Sequence, residues 1–227
     1  MSAPLLQLRQ VQFSYDTPQN AREYNRGFSL DCPHLSVEAG EALLIRGATG
    51  SGKSTLGKLM AGILKPCKGE LLLHGAVAND YHLGRAGQTV GYLFQEPGRQ
   101  LFCTTAEEEL LFVSRFLGKD ETAARSKAEA LLQRFGLTHL RERSIYRLSL
   151  GEKQRLALAA VMIQEPRLLL LDEPTSGLDQ AMRDDLCGLL EAMLDSGIAV
   201  ALISHDSMVA RRFGRRIVMV ESGVVKC

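Results

Sequence analysis

The sequence predicts an α/β fold with a mainly parallel sheet, an antiparallel β part near the start and a helical insert. Three observations lead there. Short continuous apolar runs recur at residues 42–45, 90–94, 168–171 and 198–203, as in strands buried on both faces. Helical patterns separate them, the alternation that builds parallel sheets. From residue 105 to residue 160 the pattern is helical throughout.

Taken in order, Leu6, Leu8, Val11, Phe13 and Tyr15 fall mostly at alternating positions and read as a first strand. After a polar loop, residues 28–30 begin another extended run, and residues 42–45 a buried strand. A glycine-rich turn precedes a helical pattern from residue 53 to about 63. Pro66 and Gly69 punctuate a hairpin around residues 70–74. Thr105 with Glu108 forms a capping box ahead of Leu110, Leu111 and Phe112. A second helix runs from Glu121 towards Phe135, with Gly136 where a helix stop belongs. A third begins near Ser149 and continues to about Gln164. The strand at 168–171, a helix over 180–196, the strand at 198–203, a short helix and a hairpin around Gly223 complete the chain. One domain over residues 1–227 is expected, with a helical subdomain over about 96–163 inserted in its core.

The 227 residues carry 27 basic and 26 acidic side chains, a formal net charge of +1. A nucleic-acid binder would show a large excess of positive charge, so no nucleic-acid partner is expected. Cysteines at 32, 67, 103, 187 and 227 include no CxxC pair, which points to neither a zinc site nor a disulfide framework. The opening residues, Met1 to Leu5, contain no basic region leading into an apolar run, so no secretory signal is expected. The apolar runs are too short to span a bilayer, which takes about 20 residues. Any work at a membrane would go through a partner.

Gly47, Ala48, Thr49, Gly50, Ser51, Gly52, Lys53, Ser54 and Thr55 match the P-loop pattern, between a buried strand and a helix as that pattern requires. Glycines let successive N–H groups turn towards phosphates, and the helix adds its positive N-terminal end. Lys53 would reach the β- and γ-phosphates, Ser54 would bind Mg²⁺, and Thr55 would touch the α-phosphate. The run 168–171 ends in Asp172 and Glu173, at the strand end where parallel sheets bind ligands. Asp172 would hold the metal ion, and Glu173 would orient and polarise an attacking water.

The segment Leu148-Ser149-Leu150-Gly151-Glu152-Lys153-Gln154-Arg155 resembles the signature motif of the ATP-binding-cassette family. It stands shortly before the Asp172–Glu173 strand, as in that family. Further elements follow the family order: Gln95 of the Q-loop, Ser176-Gly-Leu-Asp179 of the D-loop and His205 of the H-switch. The resemblance spans essentially the whole chain. It implies a P-loop ATPase core that binds ATP and Mg²⁺. Gln95 would sense the metal and the attacking water, and His205 would bond the γ-phosphate. Tyr15 resembles the aromatic that stacks on adenine, with a half-buried strand tyrosine as the alternative.

Ser149 reads as a helix cap, which leaves the positive end of that helix and Gly151 facing outward as an anion site. In the family this site closes on the γ-phosphate held by a second ATPase subunit, so a head-to-tail dimer sandwiching two ATP molecules is implied. Leu150 stands where the family usually has glycine.

Residues 95–102 resemble the segment after the Q-loop in energy-coupling-factor ATPases, which serve vitamin and cobalt or nickel uptake. There the segment faces integral membrane subunits, and the ATPase sits peripherally on the cytoplasmic face. Many of those proteins continue beyond the last strand, whereas this sequence stops at Cys227, more like the ATPases of biotin-type systems. Alternatives are an ATPase of a lipoprotein-release or cell-division system, or a non-transport cassette protein. Long coiled-coil insertions or paired cassettes would mark the last, and the sequence has neither. A non-catalytic binding module is disfavoured by the joint presence of Lys53, Asp172, Glu173 and His205.

Overall fold

The computed structural model describes residues 3–16, 27–81 and 83–226. Met1, Ser2, most of the polar loop ahead of Phe28, His82 and Cys227 lie outside them. Among the described residues one ten-stranded sheet carries the fold. Its strands are β1 (Leu6–Ser14), β2 (Ser29–Val37), β3 (Ala42–Arg46), β4 (Lys68–Leu73), β5 (Ala76–Val77), β6 (Val90–Leu93), β7 (Leu168–Asp172), β8 (Ala199–Ile203), β9 (Arg216–Glu221) and β10 (Val224–Lys226). They lie in the order β5-β4-β1-β2-β10-β9-β3-β8-β7-β6.

The two halves of the sheet differ as the sequence predicts. β1 pairs antiparallel with β2 and β4, whereas β9, β3, β8, β7 and β6 run parallel. Side chains alternate between the faces of a strand, and here both faces are buried. Leu43, Ile45, Leu168, Leu170, Ala201 and Ile203 join a core that includes α1 (Lys53–Met60). Leu44, Leu169, Leu171, Val200 and Leu202 join the opposite core. Continuous apolar runs follow from having no polar face.

The second core is closed by α3 (Ala106–Phe116), α4 (Glu121–Arg134), α5 (Leu150–Met162), α6 (Gln180–Asp195) and α7 (Ser207–Phe213). The first three fall in the chain between β6 and β7, which are neighbours in the sheet. Thr105 and Glu108 form the capping box reciprocally: the Glu108 N–H donates to Thr105 Oγ1 at 3.3 Å and the Thr105 N–H to Glu108 Oε2 at 3.2 Å. Gly136 takes φ 67° just past the end of α4.

Two boundaries stand out against the sequence reading, and one short helix is additional to it. α1 stops at Met60, because the Ile63 N–H turns back to the Lys58 carbonyl at 2.9 Å. β6 stops at Leu93, because Gln100 takes over its edge: Oε1 accepts from the Phe94 N–H at 3.2 Å, and Nε2 donates to the Tyr92 carbonyl at 3.1 Å. A four-residue helix, α2 (Leu83–Ala86), is too short to leave a periodic pattern.

Candidate active site

The parallel strands deliver the candidate residues to one edge of the sheet, just beyond their C-terminal ends. From β3 the chain enters the 47–55 loop. Gly47 has φ 154°, and a Cβ there would stand 2.1 Å from the Val220 carbonyl oxygen, so only glycine fits. The Gly223 N–H supports the loop by donating to the Ser51 carbonyl at 2.9 Å. Lys53 is buried, and its Nζ donates to the carbonyls of Gly47 and Ala48, both at 2.9 Å. No carboxylate lies within ion-pair distance of it among the described residues. The Ser51 hydroxyl is buried without a hydrogen-bond partner. A held cation and an orphaned hydroxyl thus sit under exposed Ala48, Thr49 and Gly50. A hollow of about 190 Å³ opens there, lined by Phe28, Gly50, Gly52, Lys53, Ser54 and Thr55. Its size and donors fit an anionic ligand.

Asp172 ends β7 and is 5% exposed. Its Oδ2 accepts from the Tyr92 hydroxyl at 3.2 Å. Burial, and then the charge of Asp172, push the Tyr92 phenol far up, so it stays a donor. Glu173 adopts φ 47°, a region that a residue with a side chain seldom takes. Its N–H donates to the Ile203 carbonyl at 2.8 Å, which extends the β7–β8 pairing by one bond. From the end of β8 the His205 N–H donates to Glu173 Oε2 at 3.4 Å, and His205 Nε2 lies 3.5 Å from Oε1. Burial raises the Glu173 pKa above the usual carboxylate value, and the His205 N–H opposes this only in part. Gln95 is exposed just past β6, at the same edge.

Ser149 caps α5. Its Oγ accepts from the Glu152 N–H at 3.3 Å, and Glu152 Oε2 accepts from the Ser149 N–H at 2.7 Å. The Ser149 N–H holds the Glu152 carboxyl below its ordinary pKa. Ser149 and Leu150 are exposed, while Gly151 is buried with Met182 Sδ 2.7 Å from where a Cβ would stand. None of these residues lines the hollow over the 47–55 loop. Asp179 caps α6, accepting from the Met182 N–H at 2.9 Å.

Tyr15 departs from the expected arrangement. It is 5% exposed, its ring meets Phe13 edge-on at 4.7 Å, and its hydroxyl lies 3.1 Å from Thr55 Oγ1. A ring so enclosed offers no free face for stacking on a base. Phe28, half-buried and 6.2 Å from Tyr15, lines the hollow instead. Sequence reasoning passed over Phe28 and Tyr92. For Tyr92 a signal existed: a single hydroxyl within an otherwise apolar buried run.

Comparison with known proteins places this geometry in context. The sequence profile of a family described as ABC transporter matches residues 30–176. The energy-coupling factor transporter ATP-binding protein EcfA of Methanothermobacter thermautotrophicus is 34% identical over 222 residues, 96% of this chain and 68% of that protein. EcfA1 of Thermotoga maritima is 35% identical over 183 residues, 81% of this chain and 69% of that protein. Among solved structures, cbiO1 from Clostridium perfringens, described as part of the ABC transporter complex cbiONQ, superimposes with a TM-score of 0.84 at 29% identity, covering 99% of this chain and 87% of that one. The cassette MJ0796, a dimer in a post-hydrolysis state bound to ADP and Pi, gives 0.79 at 25% identity, covering 98% and 97%.

Proposed function

This chain belongs to the ABC transporter family as an ATP-hydrolysing cassette, and we propose that it is one ATPase subunit of an energy-coupling-factor type importer of a vitamin or a transition metal ion. The observation that carries the finer reading is the similarity to EcfA across 96% of the chain. Residues 1–227 would act as a single cassette domain, with the helical subdomain over about 96–163.

In this reading residues 47–55 cradle the phosphates of ATP, and Lys53 exchanges its bonds to the Gly47 and Ala48 carbonyls for bonds to phosphate oxygens. Ser54, Gln95 and Asp172 supply hydroxyl, amide and carboxylate oxygens, the hard donors that suit Mg²⁺, and would hold it. The ion, when bound, neutralises phosphate charge. Glu173 orients a water for attack on the γ-phosphorus and draws its proton, while His205 holds the carboxylate and donates towards the γ-phosphate. Phe28, rather than Tyr15, takes the base. Ser149 and Gly151, whose surface lies outside this hollow, close on the ATP of a second ATPase subunit, and Asp179 accompanies them.

The chain would attach to integral membrane subunits on the cytoplasmic face of the membrane. Among the described residues no helix is long and apolar enough to cross a membrane. A face fitting such subunits lies beside residues 95–102: Phe102, Phe112 and Phe116 are 59%, 40% and 79% exposed, and the Phe112 ring meets Phe102 edge-on at 4.6 Å and stacks on Phe116 at 6.2 Å. Contiguous exposed aromatics of this kind mark interaction surfaces. The test is purification of the tagged chain from detergent-solubilised membranes, with mass spectrometry of what accompanies it. A multi-span membrane protein and a bound vitamin or metal ion are expected. Recovery with DNA or ribosomes in their place would overturn the reading.

A further inference from the structure

Two loops at the sheet edge, one carrying Asp179 and one carrying His205, are joined by a side chain that the roles above leave unused. Arg183 lies one turn into α6. Its Nε donates to the Leu178 carbonyl at 2.9 Å, and its guanidinium stands 3.5 Å from Asp206 Oδ2. Asp206 is itself fixed. Its Oδ1 accepts from the Met208 N–H at 2.8 Å as the cap of α7, and its own N–H donates to Ser204 Oγ at 3.1 Å. It directly follows His205, which meets both oxygens of Glu173.

The far side of the same loop is held by α5. Gly177 has φ 75°, and a Cβ there would come within 2.9 Å of Leu150 Cδ2. Leu150 therefore packs directly over the loop. Leu178, the next residue, is buried. Contacts thus run without a break from the exposed start of α5, through residues 176–179 and Arg183, to His205 and Glu173.

We propose that Arg183 is a positioning residue, tying the Asp179 loop to the His205 segment so that what α5 and this loop meet on a second subunit is felt at Glu173. This rests on the roles proposed above for Glu173 and His205. The Arg183 side chain is 37% exposed and that of Asp206 14%, and ion pairs reached by solvent add little to stability. Its contribution is geometric. A planar guanidinium fixes two directions at once, which a lysine ammonium does not. Misplacing a catalytic group by about 1 Å can cost on the order of 10²-fold in rate.

The test is the ATP dependence of hydrolysis by the purified full chain carrying Arg183→Ala, Asp206→Asn or both. Asp206→Asn keeps the oxygen that caps α7 and removes only the ion pair, so it serves if Arg183→Ala does not fold. Each single change should lower kcat about tenfold, with KM for ATP within about twofold of wild type. The double variant should be no slower than the slower single, because both changes cut one connection. Wild-type kcat in both singles, a raised KM at unchanged kcat, or losses that multiply would overturn the proposal. Glu173→Gln measured alongside separates the two levels. A wild-type rate there removes the catalytic reading itself. An inactive Glu173→Gln beside full-rate Arg183→Ala and Asp206→Asn removes only the positioning role.

Discussion

His205 lies against both carboxylate oxygens of Glu173: its backbone N–H donates to Oε2 at 3.4 Å, and its ring Nε2 stands 3.5 Å from Oε1. The two residues are 32 apart in sequence and meet because β7 and β8 are parallel neighbours, with Asp172 in register with Ile203. Glu173 bears a left-handed backbone at φ 47°, which costs of the order of 1–3 kcal/mol. A strained, half-buried acid thus stands at the edge of the sheet, where the proposed role of drawing a proton from water needs it.

Removing only its basicity tests that placement. Glu173→Gln keeps the shape and should lower ATP turnover roughly 10²–10⁴-fold, the usual range for a positioned general base. ATP binding should persist, and the ATP-bound dimer should accumulate. Steady-state phosphate release together with size-exclusion chromatography in ATP checks both. Turnover at the wild-type rate would remove Glu173 from the chemistry.

The pH dependence follows from the same carboxyl. Burial raises its pKa above the ordinary carboxylate value, so hydrolysis should fall on acidification earlier than an ordinary carboxylate would dictate. For stability the sign is opposite to that of a salt-bridged acid. A raised folded-state pKa contributes stability below the unfolded value, which is lost as pH rises through the folded value. At neutral pH the ionised side chain is therefore a cost, and Glu173→Gln should melt higher than wild type. That gain should shrink as pH approaches 4.5. Melting curves across this window decide it, and a gain that grows on acidification would contradict the assignment.

The contact between Leu150 and Gly177 makes a separate prediction. Gly177→Ala meets both a left-handed backbone at φ 75° and the Leu150 methyl, so it should destabilise by about 1–3 kcal/mol in denaturant titrations. Adding Leu150→Ala should recover the steric part and leave a backbone cost of about 1 kcal/mol. Strict additivity of the two changes would mean that the side chain and the loop do not touch.

How much of this was legible in the sequence depended on how local each relation is. The 47–55 loop, the Asp172–Glu173 pair and the Ser149 cap are each contiguous, and each follows or begins an element with a clear pattern. Their order along the chain already implied that the strand ends share an edge. Relations across long separations left no such mark. Tyr92 reaches Asp172 over 80 residues, and Arg183 reaches Asp206 on another helix. The resemblance of Tyr15 to an adenine-stacking aromatic pointed to a ring near the loop, but which ring faces the hollow is decided by the packing of Tyr15 against Phe13 and Thr55. The stop of β6 at Leu93 was hidden because a side chain seven residues later, Gln100, replaces a strand partner.

The proposed docking of a membrane subunit on the aromatic face makes a further prediction. Phe116 is 79% exposed on α3, and replacing it with glutamate should leave the fold and melting temperature unchanged. Recovery of the membrane subunit in copurification should fall about tenfold or more, the loss expected for a central aromatic anchor. Full recovery would place the docking surface elsewhere.

The sharing of each site between two subunits is tested by mixing inactive proteins. Ser149 begins α5 at a surface outside the hollow over Lys53, so an intact signature should serve the neighbour's ATP. Ser149→Arg puts a long cation at that surface and should abolish hydrolysis, while ATP affinity of the monomer stays near wild type. Lys53→Ala should instead weaken binding itself, since it removes the cation under the 47–55 loop. Mixed together, the two variants form some dimers in which an intact loop faces an intact signature. With random exchange and independent sites, half the dimers are mixed and each has one good site of two, so activity should return to about a quarter of wild type. Coupling between the sites lowers that figure, which makes the behaviour of Ser149→Arg alone decisive. Normal hydrolysis by Ser149→Arg would take the signature out of the active site, and the head-to-tail dimer with it.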